Sequence, residues 1–161
     1  MSWEALLPYA SWLGSTSFAL WLGASTWRIA WLLAIHLFGL TLLLGSVIVT
    51  SLNLLGLFQA GKSPDRLRRQ VRPVLLIGLT LSIVTGTLIF TGGAQPYYEG
   101  YWFRLKMVLL AITLIFHVTV YRAVSTAPAG RLSTAANRLT GAFMLVLWFS
   151  VAWAGRAIAF F

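Results

Sequence analysis

The only two histidines in this sequence, His36 and His117, both fall inside long apolar runs, and neither stands in a polar segment. An ionisable side chain within an apolar span is costly to bury and marks a functional site by default. A neutral imidazole there can ligate haem iron or copper, so His36 and His117 are the candidate metal ligands. Four cations accompany them at span ends: Arg28, Arg104, Lys106 and Arg156. Arg28 can simply mark the start of the first span, whereas Arg104, Lys106 and Arg156 converge on one side with Glu99 as the nearest acidic residue. Snorkelling to lipid phosphates would satisfy each singly; together they suit an acidic ligand.

Spacing connects the two groups. His117 and Lys106 are eleven residues apart, close to three helical turns, so they share a face with about 16 Å of rise between them. A haem b ligated at His117 would direct its carboxylates towards Lys106, Arg104 and Arg156. Gly39, one turn after His36, would leave backbone for a flat porphyrin to lie against. On the span boundaries below, the two histidines differ in depth by roughly 9 Å. Either the macrocycle tilts between them, the span boundaries lie a turn away from those given, or each histidine serves its own site. Copper is the competing metal, with Met107 and Met144 as thioethers, but neither stands at helical spacing from a histidine on its own helix. Nucleophilic or acid–base catalysis finds no support, because Asp65 is the only aspartate and sits among basic residues.

These residues need long helices to hold them. Ile29 to Leu52 is uncharged and apolar over more than the roughly 20 residues that cross a bilayer core. Further spans run over about 74–91, 103–121 and 139–160. Between the first two lies FQAGKSPDRLRRQVRP, a basic loop with Lys62, Arg66, Arg68, Arg69 and Arg72; after the third comes a loop with Arg122, Arg131 and Arg138. These eight of the twelve basic residues mark the cytoplasmic side. GGAQPYYEGYW, rich in breakers and aromatics, belongs outside. Residues 1–27 carry Trp3, Tyr9, Trp12 and Trp21 among small polar residues and predict an amphipathic segment lying in the interface. The chain therefore divides into that segment and a four-span domain, 28–161. The expected fold is all-α, an integral-membrane antiparallel four-helix bundle with both termini on the periplasmic side of a bacterial inner membrane.

Composition agrees with this reading. Of 161 residues, 59% are hydrophobic and 9% charged, far below the charge content of soluble domains. The formal net charge of +9 does not indicate nucleic acid, since the basic residues cluster between apolar runs rather than on one polar face. The absence of cysteine excludes disulfides and thiolate metal sites. The first residues lack a basic n-region and a clean cleavage site, so no removable signal peptide is expected.

Four stretches carry a resemblance: IHLFGLTLLLGS with NLLGL (Ile35 to Leu57), VTGTLIF (Val84 to Phe90), YYEGYWFRLKMVLL (Tyr97 to Leu110) and LWFSVAWAGRAIAF (Leu147 to Phe160). In these the chain resembles a family of uncharacterised four-helix bacterial inner-membrane proteins. More loosely, the first-span His and the Lys opening the third span are similar to the membrane parts of copper-resistance D proteins and HemJ-type protoporphyrinogen oxidases. That similarity would make His36 a haem ligand and Lys106 a functional cation. The late first-span signature of the HemJ type is replaced by VIVTSLNLLGL, so the resemblance implies general haem binding rather than protoporphyrinogen oxidation.

The function expected from these readings is that of a b-type cytochrome-like protein, passing electrons between a periplasmic redox partner and the quinone pool or another membrane partner. The alternatives are a cofactor-free structural subunit of a larger membrane complex, and copper handling. Either way the chain reads as an electron-transfer or structural subunit, homo-oligomeric or part of a larger assembly, rather than a stand-alone enzyme.

Overall fold

The computed structural model describes residues 3–58, 63–127, 133–158 and 160, and among these there is helix and turn but no strand. Lys62 and Arg131, two of the basic residues expected in loops, lie outside the described residues.

After a 3-10 turn at Trp3–Leu6, two short helices, α1 (Leu7–Gly14) and α2 (Ser17–Gly23), lead into α3 (Thr26–Leu55). Helix α3 holds thirty residues, about 45 Å of rise. It ends at Gly56, whose φ of 78° is the left-handed conformation that glycine adopts without penalty. The Leu57 amide donates to the Leu52 carbonyl at 2.9 Å and the Gly56 amide to Asn53 at 3.0 Å, which satisfies the last carbonyls of the helix.

Helix α4 (Pro64–Thr91) starts ten residues before the expected second span, so Arg66, Arg68, Arg69 and Arg72 lie on helix rather than in a loop. The reason is local. The Ser63 hydroxyl accepts from the Arg66 amide at 3.4 Å, Pro64 occupies the first helical position, and Asp65 lies in the first turn, paired with Arg68 at 3.0 Å and with Arg69. Pro73 is carried inside the helix. The connection at the other end contains α5 (Ala94–Glu99). The third long helix comprises α6 (Tyr101–Phe116), a π-helical turn over His117–Tyr121 and α7 (Arg122–Thr126), a continuous run from Tyr101 to Thr126. Helix α8 (Thr134–Ala157) is capped by Ser133, which accepts from Ala136 at 3.1 Å, and it stops three residues short of the expected boundary.

Four helices are thus long and apolar enough to cross a membrane: α3, α4, α6 with its continuation, and α8. The protein is an all-helical, multi-pass membrane-type bundle. Neighbours run α4, α3, α8, α6 across it, with α3 packed most extensively on α4. That closeness depends on Gly39 and Gly78, since a Cβ on Gly78 would stand 2.6 Å from the Leu43 nitrogen and 2.7 Å from the Gly39 carbonyl. The core between the helices is built from Leu43, Val47, Leu54, Tyr121, Met144 and Trp148.

The end of the bundle that holds the N-terminus of α3 and helix α5 is aromatic; the opposite end carries Arg66, Arg68, Arg69, Arg72, Arg122 and Arg138 and is basic. Helix α1 packs against α5 and α2 against α3, so the N-terminal segment is seated on the aromatic end. Neither short helix could span a bilayer. Tyr9, Trp12, Trp21 and Trp27 stand exposed there, and the Arg28 guanidinium lies 4.2 Å over the Trp21 ring while donating to the Trp21 carbonyl.

Candidate functional site

His36 lies in the aromatic-end half of α3 with its ring turned towards α4. Gly86 makes room for it: a Cβ at that position would be 3.1 Å from His36 Cε1 and 3.6 Å from Nδ1. The preceding residue on α4 contacts the imidazole directly, with His36 Nδ1 3.0 Å from the Thr85 hydroxyl. That hydroxyl donates in turn to the Leu81 carbonyl at 2.5 Å, one turn back on the same helix. The Ser82 backbone also reaches the ring. No described residue bonds Nε2, on the opposite edge.

Lys106 on α6 is the charged side chain whose field acts on the His36 ring. It reaches there by lying along the bare backbone of Gly155 on α8, where an added Cβ would be 3.3 Å from both Cε and Nζ. Among the described residues Lys106 forms no ion pair; the carboxylate of Asp65 is engaged with Arg68 and Arg69 at the basic end, and Glu99 accepts from Gln95 at 3.1 Å. One turn nearer the aromatic end, Phe90 of α4 stacks on Phe103 of α6 at 5.0 Å and 12°. The stack stands about one turn from Gly86 on α4 and from Lys106 on α6.

The other expected site residues are held elsewhere. Arg104 Nε donates to the Tyr98 carbonyl at 2.9 Å, and its guanidinium lies 5.8 Å over the Tyr98 ring, so it faces the α5 connection. Arg156 is exposed at the end of α8 with its guanidinium 4.1 Å over Phe160. Gly39 does not present open backbone to a flat cofactor: α4 fills that space, and an added Cβ would be 2.9 Å from Leu81 Cβ and from Ser82 Oγ. Gly86, rather than Gly39, is the glycine against the imidazole.

His117 lies in different surroundings. Within the π-helical turn its ring stacks on Tyr121 at 5.0 Å and 26°. Tyr121 is buried and reaches Thr50 of α3, and Arg68 is the charged neighbour of both rings. His117 Nδ1 is buried with no partner among the described residues. Thr50 is 14 residues, about 21 Å, beyond His36 on α3, and Tyr121 is one turn beyond His117, which leaves the two imidazoles roughly 15 Å apart in depth. The structure does not bring the two histidines together. An apolar groove between α6 and α8, lined by Leu105, Leu109, Leu145, Phe149 and Trp153, includes neither of them.

The residues that sequence reasoning did not assign a role are Thr85 and Ser82 beside His36, and Tyr121, Thr50 and Arg68 beside His117. Gly86, a glycine within an apolar span, is the one residue beside His36 whose type alone marks a place of close approach. The model of one family matches residues 10–161, and so covers all four long helices. The chain belongs to DUF6644, a family of unknown function. Neither the curated proteins nor the solved structures contain a match. Membership supports the uncharacterised-family resemblance on the quoted stretches and leaves the chemistry to be argued from the site itself.

Proposed function

We propose that the chain is a haem-binding, b-type cytochrome-like protein of a bacterial inner membrane, passing electrons between a periplasmic partner and the quinone pool. One observation carries the proposal: His36 is oriented through Nδ1 while Nε2 has no hydrogen-bond partner among the described residues, and the charge acting on the ring is Lys106, a cation within a span that no described carboxylate neutralises. The residues present fit haem. His36 Nε2 would hold the iron, Gly86 gives the imidazole its seat, and Lys106 would be a cation for a propionate carboxylate, with Arg156 exposed at the same end. When bound, the iron supplies one-electron oxidation and reduction, with a potential set by the axial ligand and the groups around it. The chain's own contribution is to orient the imidazole and to place a cation nearby.

With His117 in separate surroundings, the proposal is for a haem that takes one imidazole from this chain. The loose likeness to copper-resistance D and HemJ-type proteins belongs to the same reading, since it rests on His36 and Lys106. Orientation in the membrane follows the basic end, which we place inside, so that both termini lie outside. Copper handling draws less support: no group of three or more His, Cys, Asp or Glu side chains exists among the described residues. A cofactor-free subunit of a larger complex is favoured by a different observation, the exposed aromatic set Tyr9, Trp12, Trp21 and Trp27 at the N-terminal end.

The deciding measurement is the visible spectrum of detergent-purified protein, oxidised and dithionite-reduced, after expression with haem supply. A Soret band with reduced α and β bands is expected, lost in His36→Ala and retained in His117→Ala. A featureless spectrum from folded protein overturns the haem reading and favours the structural subunit, which would then co-purify with its complex even as His36→Phe.

A further inference from the structure

We infer that Thr85 is a positioning residue that holds His36 in the Nδ1–H tautomer and thereby dedicates Nε2 to an electron-pair acceptor, a metal centre. The inference deepens the haem reading and rests on it for the identity of that acceptor, although the tautomer itself is a property of the chain alone.

The argument is one of counting protons. Thr85 Oγ1 is 2.5 Å from the Leu81 carbonyl oxygen. A carbonyl has no proton to give, and two oxygens that close repel unless a hydrogen lies between them, so the single hydroxyl proton of Thr85 is committed to Leu81. The same oxygen is 3.0 Å from His36 Nδ1. With its proton committed, Thr85 can only accept there, and Nδ1 must be the donor. In a neutral imidazole one nitrogen carries the proton and the other a lone pair. Nε2 therefore carries the lone pair.

Placement makes the tautomer useful. The ring is seated against Gly86, which fixes its plane, and no described residue bonds Nε2. A lone pair in an apolar span without a donor opposite it is an unmet acceptor, costly unless something fills it. Lys106, whose charge acts on the ring, lies along α8 at Gly155. Metal-bound histidines in general donate their second ring nitrogen to a fixed acceptor, which sets both tautomer and ring orientation. Here a threonine hydroxyl backed by a main-chain carbonyl takes the part that a carboxylate often plays, while Asp65 and Glu99 are engaged by Arg68, Arg69 and Gln95 elsewhere.

Ring nitrogen-15 spectroscopy of histidine-labelled full-length protein in micelles, without added haem, tests this. The two rings are told apart with His117→Phe. The expected result for His36 is a protonated Nδ1 and a pyridine-like Nε2, with the Nδ1–H form favoured by roughly ten to one or better. Thr85→Val should collapse that preference towards Nε2–H, and Thr85→Ser should restore it. Two outcomes overturn the inference: wild-type His36 found as Nε2–H, or a preference unchanged in a folded Thr85→Val protein. The wild-type measurement decides even where Thr85→Val does not fold. Failure of the haem reading is distinct, because a chain with the Nδ1–H tautomer and no Soret band after haem supply keeps the inference about Thr85 and loses the cofactor.

Discussion

At the scale of the residue, the features that matter are a lone pair and an unneutralised charge within reach of each other. Lys106 is the charge. In the haem-bound protein a positive group nearby disfavours the oxidised iron, so Lys106→Met should lower the reduction midpoint by some tens of millivolts, where ~60 mV corresponds to about 1.4 kcal/mol for one electron. Redox titration followed at the α band checks the sign, and an unchanged midpoint would remove Lys106 from the site. Both His36 and Lys106 were legible in the sequence because a polar residue in an apolar run is conspicuous. Thr85 was not, because threonine is common in spans and satisfies itself by bonding back to its own helix. What distinguishes it is the partner 49 residues away in the chain, and no local pattern reports that. The same limit explains Gly39, where a missing side chain opens space without showing whether a ligand or another helix fills it.

At the scale of the element, α3 and α4 form the rigid pair that holds the imidazole. A methyl group on Gly78 would meet backbone atoms of α3 at 2.6 and 2.7 Å, and backbone cannot swing aside as a side chain can. Gly78→Ala should therefore destabilise the protein by about 1–3 kcal/mol. Gly45 is the control: nothing lies within 4 Å of a Cβ there, and Gly45→Ala should be neutral or should stabilise by up to about 1 kcal/mol from helix propensity. Thermal melts in one detergent, scored side by side, check the pair. The spans themselves were readable from hydrophobicity, which marks the apolar stretch but not where the helix stops. That is why α4 begins at Pro64 instead of near 74, although Ser63, Pro64 and Asp65 together form a start signal that outweighs the basic run after it. The π-helical turn at His117 had no signature. It shifts His117 and Tyr121 into a stack that the regular spacing linking His117 to Lys106 does not describe.

At the scale of the whole molecule, the segregation of arginines at one end and aromatics at the other is the basis of the proposed orientation. The chain contains no cysteine, so single introduced thiols report it cleanly. Ser63→Cys should react with a membrane-impermeant maleimide only after the cells are opened, and Gln95→Cys in intact spheroplasts. The reverse pattern would put the basic end outside and invert the proposed direction of electron flow. Alternation of apolar and basic segments made this architecture readable in outline. The seating of the N-terminal helices was not, since their partner is α5, distant in sequence. That seating has a consequence in time. A Cβ on Gly14 would lie 3.8 Å from Ala94 Cβ, and one on Gly23 would meet the Gly92 carbonyl, so the earliest-made helices rest on residues roughly 70–80 positions later. At about 5–20 residues per second of synthesis, α1 and α2 wait roughly 4–16 seconds for their seat. During that interval their tryptophans lack that seat, so α1 and α2 dock only after the two long helices that follow them have been made.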